Sequence, residues 1–292
     1  MLDTPTRVEN NAVVRDLSDD EGRPRIAWLA GADLPAGGGI PGGCGFDLET
    51  GWAASLWVLN AVYENPEMPA DMTHHELNQQ AIELGLREPT VVNGVNLDEV
   101  TITTGQSLGF VERPDDSWHR VLWAEVGQRA DFEYWAVSGR WPHQRYVPQE
   151  QWDDPAVLPP GSDPRIGPTE QSSWPVAMLP PAEGSLDEES LRALVAVLSR
   201  HTPSAALAHC DFFFGCPPLY DGARMFTGHL RELRSLVDDT GYTPNNFWPA
   251  DRSWLVYTDH DLCATRVSGS IELIAALTAA DGLDSVLCGP LS

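Results

Sequence analysis

Apolar residues at Trp52, Leu56, Leu59, Val62 and Tyr63 recur at three- and four-residue spacing, which predicts a helix over 48–63, closed off by Pro66 and Pro69. Before it, Arg25-Ile-Ala-Trp-Leu-Ala30 reads as a first strand. After it, Thr73-His-His-Glu76 forms a capping box that opens a second, short helix running to Gly85. His74 and His75 are adjacent, project about 100° apart and read as solvated first-turn residues. Asn93-Gly94 between β-branched residues predicts a hairpin, and Val100-Thr-Ile-Thr-Thr104 a strand. Trp118–Val126 and Phe132–Val137 supply further strand-like runs.

The second half repeats this mixture. Ser185-Leu-Asp-Glu188 is another capping box, followed by Leu191, Leu194, Val195 and Leu198 on one helical face. Ala205–Phe214 reads as a buried strand and Gly228–Val237 as an amphipathic helix. Trp254–Thr258 and Cys263–Val267 are expected to pair as strands around Asp259-His260-Asp261, and Ser268 or Ser270 to cap a last helix through Ala280. Strands and helices are grouped rather than alternating as βαβ, so the fold class is α+β with mostly antiparallel sheets.

Ten prolines between positions 142 and 181 interrupt regular structure. That stretch reads as a linker or strap pinned by Trp141, Trp152 and Trp174. The expected organisation is a flexible polar arm over 1–24, an N-terminal α+β domain over 25–145, a Pro-rich segment over 146–182 and a C-terminal α+β domain over 183–292.

Charge changes the picture of partners. Eighteen basic residues face 43 acidic ones, for a net charge of −25. Nucleic acid and anionic membranes are repelled by such a surface, whereas a basic protein partner is attracted. All 18 cations are Arg, and the absence of Lys excludes a standard Walker-A loop, a protein-kinase site and a pyridoxal Schiff base. No run of 18 apolar residues suggests a membrane span, and the first ten residues lack signal-peptide order, so a cytoplasmic location is expected. Cys44, Cys210, Cys216, Cys263 and Cys288 show no C-x-x-C spacing and read as reduced thiols; a zinc site would need Cys210, Cys216 and a histidine. No cofactor is called for.

Three constellations could carry chemistry. Gly37-Gly-Gly-Ile-Pro-Gly-Gly-Cys-Gly45 is glycine-rich, but without a following Lys or a G-x-G-x-x-G order it reads as a surface loop. Gly105-Gln-Ser107-Leu-Gly109 matches a nucleophile elbow, with His260 as base and Asp211 as acid completing a hydrolase set. Pro114 stands five residues after Gly109, where the elbow requires a helix. Asp259 and Asp261 flank His260 and could hold a divalent cation or orient a base, but an extended chain puts the carboxylates on one side and the imidazole on the other. The alternative is an acidic corner that, with Trp254, meets a partner.

The segments Asn245-Asn-Phe-Trp-Pro-Ala-Asp-Arg-Ser-Trp254, Thr258-Asp-His-Asp261 and Val267-Ser-Gly-Ser-Ile-Glu-Leu-Ile274 resemble uncharacterised acidic proteins of GC-rich Gram-positive bacteria. That resemblance carries over no catalytic residue. In being acidic and α+β, the chain is also similar to immunity-type proteins that neutralise toxins by binding. The leading expectation is therefore a non-enzymatic, acidic binding protein of immunity or regulatory type. A serine hydrolase at Ser107 and a metal-dependent enzyme at Asp259 and Asp261 are the alternatives.

Overall fold

The structure is a computed structural model that describes residues 14–30, 45–46, 51–101, 103, 105–122, 125, 173–215, 223–260 and 262–288. In chain order the first elements are β1 (Arg15–Leu17), α1 (Asp19–Ala30), β2 (Ala54–Leu59), β3 (Val62–Glu64) and α2 (His74–Glu83). Next come β4 (Val91–Val92), β5 (Val95–Asn96), α3 (Leu97–Val100), β6 (His119–Val121) and β7 (Met178–Leu179). Then follow α4 (Glu188–His201), α5 (Ser204–Leu207), β8 (Cys210–Phe214), β9 (Arg224–Gly228) and a 3-10 turn over Leu230–Glu232. The chain closes with α6 (Leu233–Thr240), β10 (Asn246–Trp248), β11 (Leu255–Thr258), β12 (Ala264–Gly269), α7 (Ile271–Thr278) and β13 (Asp284–Leu287).

An eight-stranded sheet runs β1-β9-β8-β10-β11-β12-β2-β13, and every neighbouring pair in it is antiparallel. Small sheets β6-β3-β7 and β4-β5 stand apart from it. The fold is thus α+β with antiparallel sheets. The expected division into two α+β halves is corrected by this topology. β2 lies between β12 and β13, and β1 pairs with β9, so strands from both sides of the Pro-rich segment share one sheet. Residues 146–172 lie outside the described residues, but Trp174, Val176, Ala177, Met178 and Ala182 at the end of that segment are buried, and β7 pairs with β3. These last residues belong to the core rather than to a linker.

Side-chain alternation sends the two faces of the sheet to different partners. Leu56, Val58, Phe212, Phe214, Phe247, Val256 and Val267 pack against α4, α6 and α7 through residues such as Leu194, Val237 and Ile274. On the opposite face, Phe213, Met225, Trp248 and Leu255 meet Leu29 of α1. Beside them, Trp57, Leu59 and Tyr257 meet Val62, Val121, Trp174 and Met178.

Burial on both faces explains why the helix expected over 48–63 is in fact β2 and β3. Leu56, Trp57, Val58 and Leu59 are all buried, so the apolar run is continuous and its apparent helical spacing carries no information. The expected strand at 25–30 is the end of α1, and the expected arm over 1–24 contributes β1 and the start of α1; residues 1–13 lie outside the described residues. α1 contains Pro24, which gives up one amide bond, and Arg25 Nη1 donates to Asp211 Oδ1 at 2.5 Å, which ties the helix to β8. The strand expected over 100–104 is replaced at its start by α3. The cap of α4 is Asp187 rather than Ser185: Asp187 accepts from the Ser190 amide, while Ser185 is buried against Thr243. The β11–β12 hairpin, the Ser270 cap and the Thr73 capping box form as expected.

Two buried asparagines fasten the centre. Asn246 accepts from the Phe46 amide at 2.7 Å and donates to the Phe46 carbonyl at 2.8 Å, so its side chain pairs with a backbone 200 positions away. Asn245 accepts from the Gly215 amide at 2.8 Å and donates to the Thr258 carbonyl at 3.1 Å. Gly45 has φ +78, and a Cβ there would stand 2.8 Å from Asn245 Cβ, so only glycine lets the chain pass this close.

Candidate functional site

The Gly105–Gly109 segment opens no helix. It runs extended beside residues 183–184: Glu183 N donates to Ser107 O at 2.9 Å, Gly109 N donates to Glu183 O at 2.8 Å, and Phe110 N donates to Gly241 O at 2.7 Å. Its glycines have a packing reason. A Cβ on Gly105 would lie 2.2 Å from His74 Cδ2, and one on Gly109 would lie 2.8 Å from Gly241 O, both at positive φ. The elbow match therefore reflects close backbone approach, and among the described residues no hydrogen bond joins Ser107 to His260.

Neighbouring backbone does bring the segment near the corner after β11. Residues 183–184 bridge them, with Gly184 N donating to Leu262 O at 3.0 Å and Gly184 packed on His260 O. His260 is half-buried with its ring 6.1 Å from that of Tyr242. Asp259 is only 2% exposed and accepts from Tyr257 Oη at 2.6 Å. It is interior, so the expected exposed acidic corner is corrected at Asp259; Asp261 lies outside the described residues. Trp254 is no partner contact either. It is buried, stands edge-on to Phe247 and donates Nε1–H to Thr202 Oγ1 at 2.7 Å. Asp211 is engaged with Arg25 beneath α1. It is paired with Trp248 across β8 and β10, whereas Asp259 follows the far end of β11, so Asp211 does not join His260 and Ser107.

The Cys210 and Cys263 thiols are not poised as nucleophiles. Burial pushes Cys210 up to about 12, with the Asp211 charge adding to it. Burial first, and the Glu183 charge second, raise the Cys263 thiol well above its usual value, although Gln106 Nε2 donates to its sulfur at 3.1 Å. Cys44 and Cys216 lie outside the described residues, and among the described residues no cluster of three His, Cys, Asp or Glu could hold a metal ion.

A different region has the character of a binding surface. Residues 73–101 form a lobe of α2, the β4–β5 hairpin and α3. The Asn93-Gly94 turn takes φ +52 and +82, as a type I′ hairpin requires. Both ends of the lobe are held at Ser173, which accepts from His75 N at 2.8 Å and donates to Thr103 O at 2.7 Å. His74 Nε2 lies 2.9 Å from Met178 O and His75 Nδ1 accepts from Thr103 N at 3.3 Å, so the two histidines are half-buried struts rather than solvated residues.

Asp98 is the one buried residue of the lobe. It accepts from Thr90 N at 2.6 Å, Arg87 Nη1 at 2.9 Å and Asn78 Nδ2 at 3.0 Å. The Thr90 amide first, then Arg87 and Asn78, hold its carboxyl well below the usual carboxylate range. Around this polar hub most of the large apolar side chains face outward, with Ile82 and Leu97 half-buried. Leu77, Leu84, Leu86, Val91, Val92, Val95 and Val100 are all exposed, Leu86 to 78%. Glu76, Glu83, Glu88 and Glu99 are exposed among them, and the single Arg of the lobe, Arg87, is engaged with Asp98. Beside α2, Asp71, Glu76 and Glu83 line a shallow groove with Gln79 and Gln80. The hairpin is legible in the sequence, but its role is not, since nothing local says that Val91 and Val95 face solvent.

No protein-family model, curated protein sequence or solved structure matches this chain. Among the described residues no helix is long and apolar enough to cross a membrane.

Proposed function

We propose that the chain is an acidic protein-binding module of immunity or regulatory type, and that it engages a basic partner through the 73–101 lobe. The observation that carries this reading is the inside-out build of the lobe: a carboxylate is buried while seven large apolar side chains are exposed. Exposed apolar side chains gathered in one lobe mark an interaction site, and the exposed glutamates of the same lobe favour a partner that carries Lys or Arg beside apolar side chains. The net charge of −25 speeds the encounter with such a partner.

The test compares wild type with Leu86→Asp/Val91→Asp and with Glu83→Lys/Glu88→Lys in native lysate at low and high salt. A specific basic protein should be retained by wild type, lost with either variant and weakened by salt, and cross-links should map to the lobe. Retention of the same proteins by wild type and both variants would refute the reading.

A further inference from the structure

We propose that the cleft between α4 and α6 binds a small organic monocarboxylate with an apolar body, a site separate from the lobe. The cleft encloses about 220 Å³. That is below the several hundred Å³ of larger ligand pockets and suits a small molecule. Its floor is apolar: Leu191, Leu230 and Leu233 are almost wholly buried, and Val195 forms a half-buried wall. Three arginines, Arg192, Arg231 and Arg234, surround this floor in a chain where acidic residues outnumber basic ones 43 to 18.

The three guanidiniums differ in what they have left to give. Arg234 pairs with Glu112, lies 3.0 Å from Asp238 and stacks on the Phe110 ring at 4.5 Å, which makes it a fixed wall. Arg231 reaches Glu232 through Nε at 2.9 Å, and among the described residues both of its terminal nitrogens remain as donors. Arg192 is exposed and makes no ion pair among the described residues. Two forks with free donors at the mouth of an apolar slot match one carboxylate followed by a hydrocarbon body. Glu188 also lines the cleft and would repel a second negative charge, so a monocarboxylate is favoured over a dicarboxylate.

Titration calorimetry of the full chain with octanoate, 1-octanol and suberate tests the site. Octanoate should bind, and the neutral alcohol and the dicarboxylate should each bind at least about tenfold more weakly. Arg192→Glu/Arg231→Glu, both at exposed positions, should lose octanoate binding without a change in melting temperature. Val195→Phe, which fills the slot, should lose it as well. Octanol binding as tightly as octanoate would reduce the cleft to an apolar crevice and overturn the proposal. So would failure of octanoate to bind, undiminished binding by the double variant, or binding of a Glu-rich amphipathic peptide in its place.

Discussion

The eight-stranded sheet and the 73–101 lobe are built on opposite rules. In the sheet, Leu56, Val58, Phe212, Phe247, Val256 and Val267 are wholly buried and the two faces are covered by separate sets of elements. In the lobe the buried residue is Asp98, while three of its four leucines and all four of its valines are exposed and Leu97 is half-buried. The sheet gains its stability from apolar area removed from water, which needs no particular partner. A hub of directional hydrogen bonds holds a shape but leaves the apolar surface unspent. A region of that kind is suited to contact with another molecule and opens more readily than the sheet.

The largest effect should come from the sheet. Phe247 lies at its centre against Phe212 and Trp254, so Phe247→Ala should cost about 3–5 kcal/mol in chemical denaturation, with all strands melting together. Asn246→Ala should come next. It leaves the Phe46 amide and carbonyl without their partner and should cost about 1–3 kcal/mol by the same measurement.

Replacing Asp98 by Ala should act on the lobe alone. Amides of residues 74–101 should lose hydrogen-exchange protection while those of β8, β10 and β11 keep theirs. Acid should do the same. The folded-state carboxyl of Asp98 lies below its unfolded value, so its contribution is present above about pH 4 and is lost as pH falls through the lower, folded value. Protection of the lobe amides, relative to their intrinsic exchange rates at each pH, should therefore fall below about pH 4 before that of the sheet does. The smallest effect on stability should come from Leu86→Ser. At this exposed position the change should stay within about 0.5 kcal/mol, while any partner bound at the lobe should be released more easily.

The sequence showed most where a signal is local. The Thr73 box, the Asn93-Gly94 turn, the β11–β12 pairing and the Ser270 cap depend on residues within a few positions of each other. β2 was illegible because burial on both faces erases the alternation that marks a strand. α1 is hidden by Pro24, and the ion pair that ties the helix to the sheet joins Arg25 to Asp211, 186 positions away. The candidate site suffered for the same reason. Trp254 and Asp259 belong to residue types that often sit in sites, but their partners, Thr202 and Tyr257, place them in the interior. Asn245 and Asn246 open one of the segments that carry the resemblance, but their clamp on Gly215 and Phe46 joins positions 30 and 200 residues apart and leaves no local signal.

Hydrogen exchange of the native protein over a range of low denaturant concentrations tests the contrast between sheet and lobe most directly. β2 should exchange together with β11 and β12, at the free energy of global unfolding, although the Pro-rich segment separates them in sequence. Amides of the lobe should exchange through a smaller opening at lower free energy. Separate transitions for β2 and β12, or lobe amides protected as strongly as those of the sheet, would contradict it.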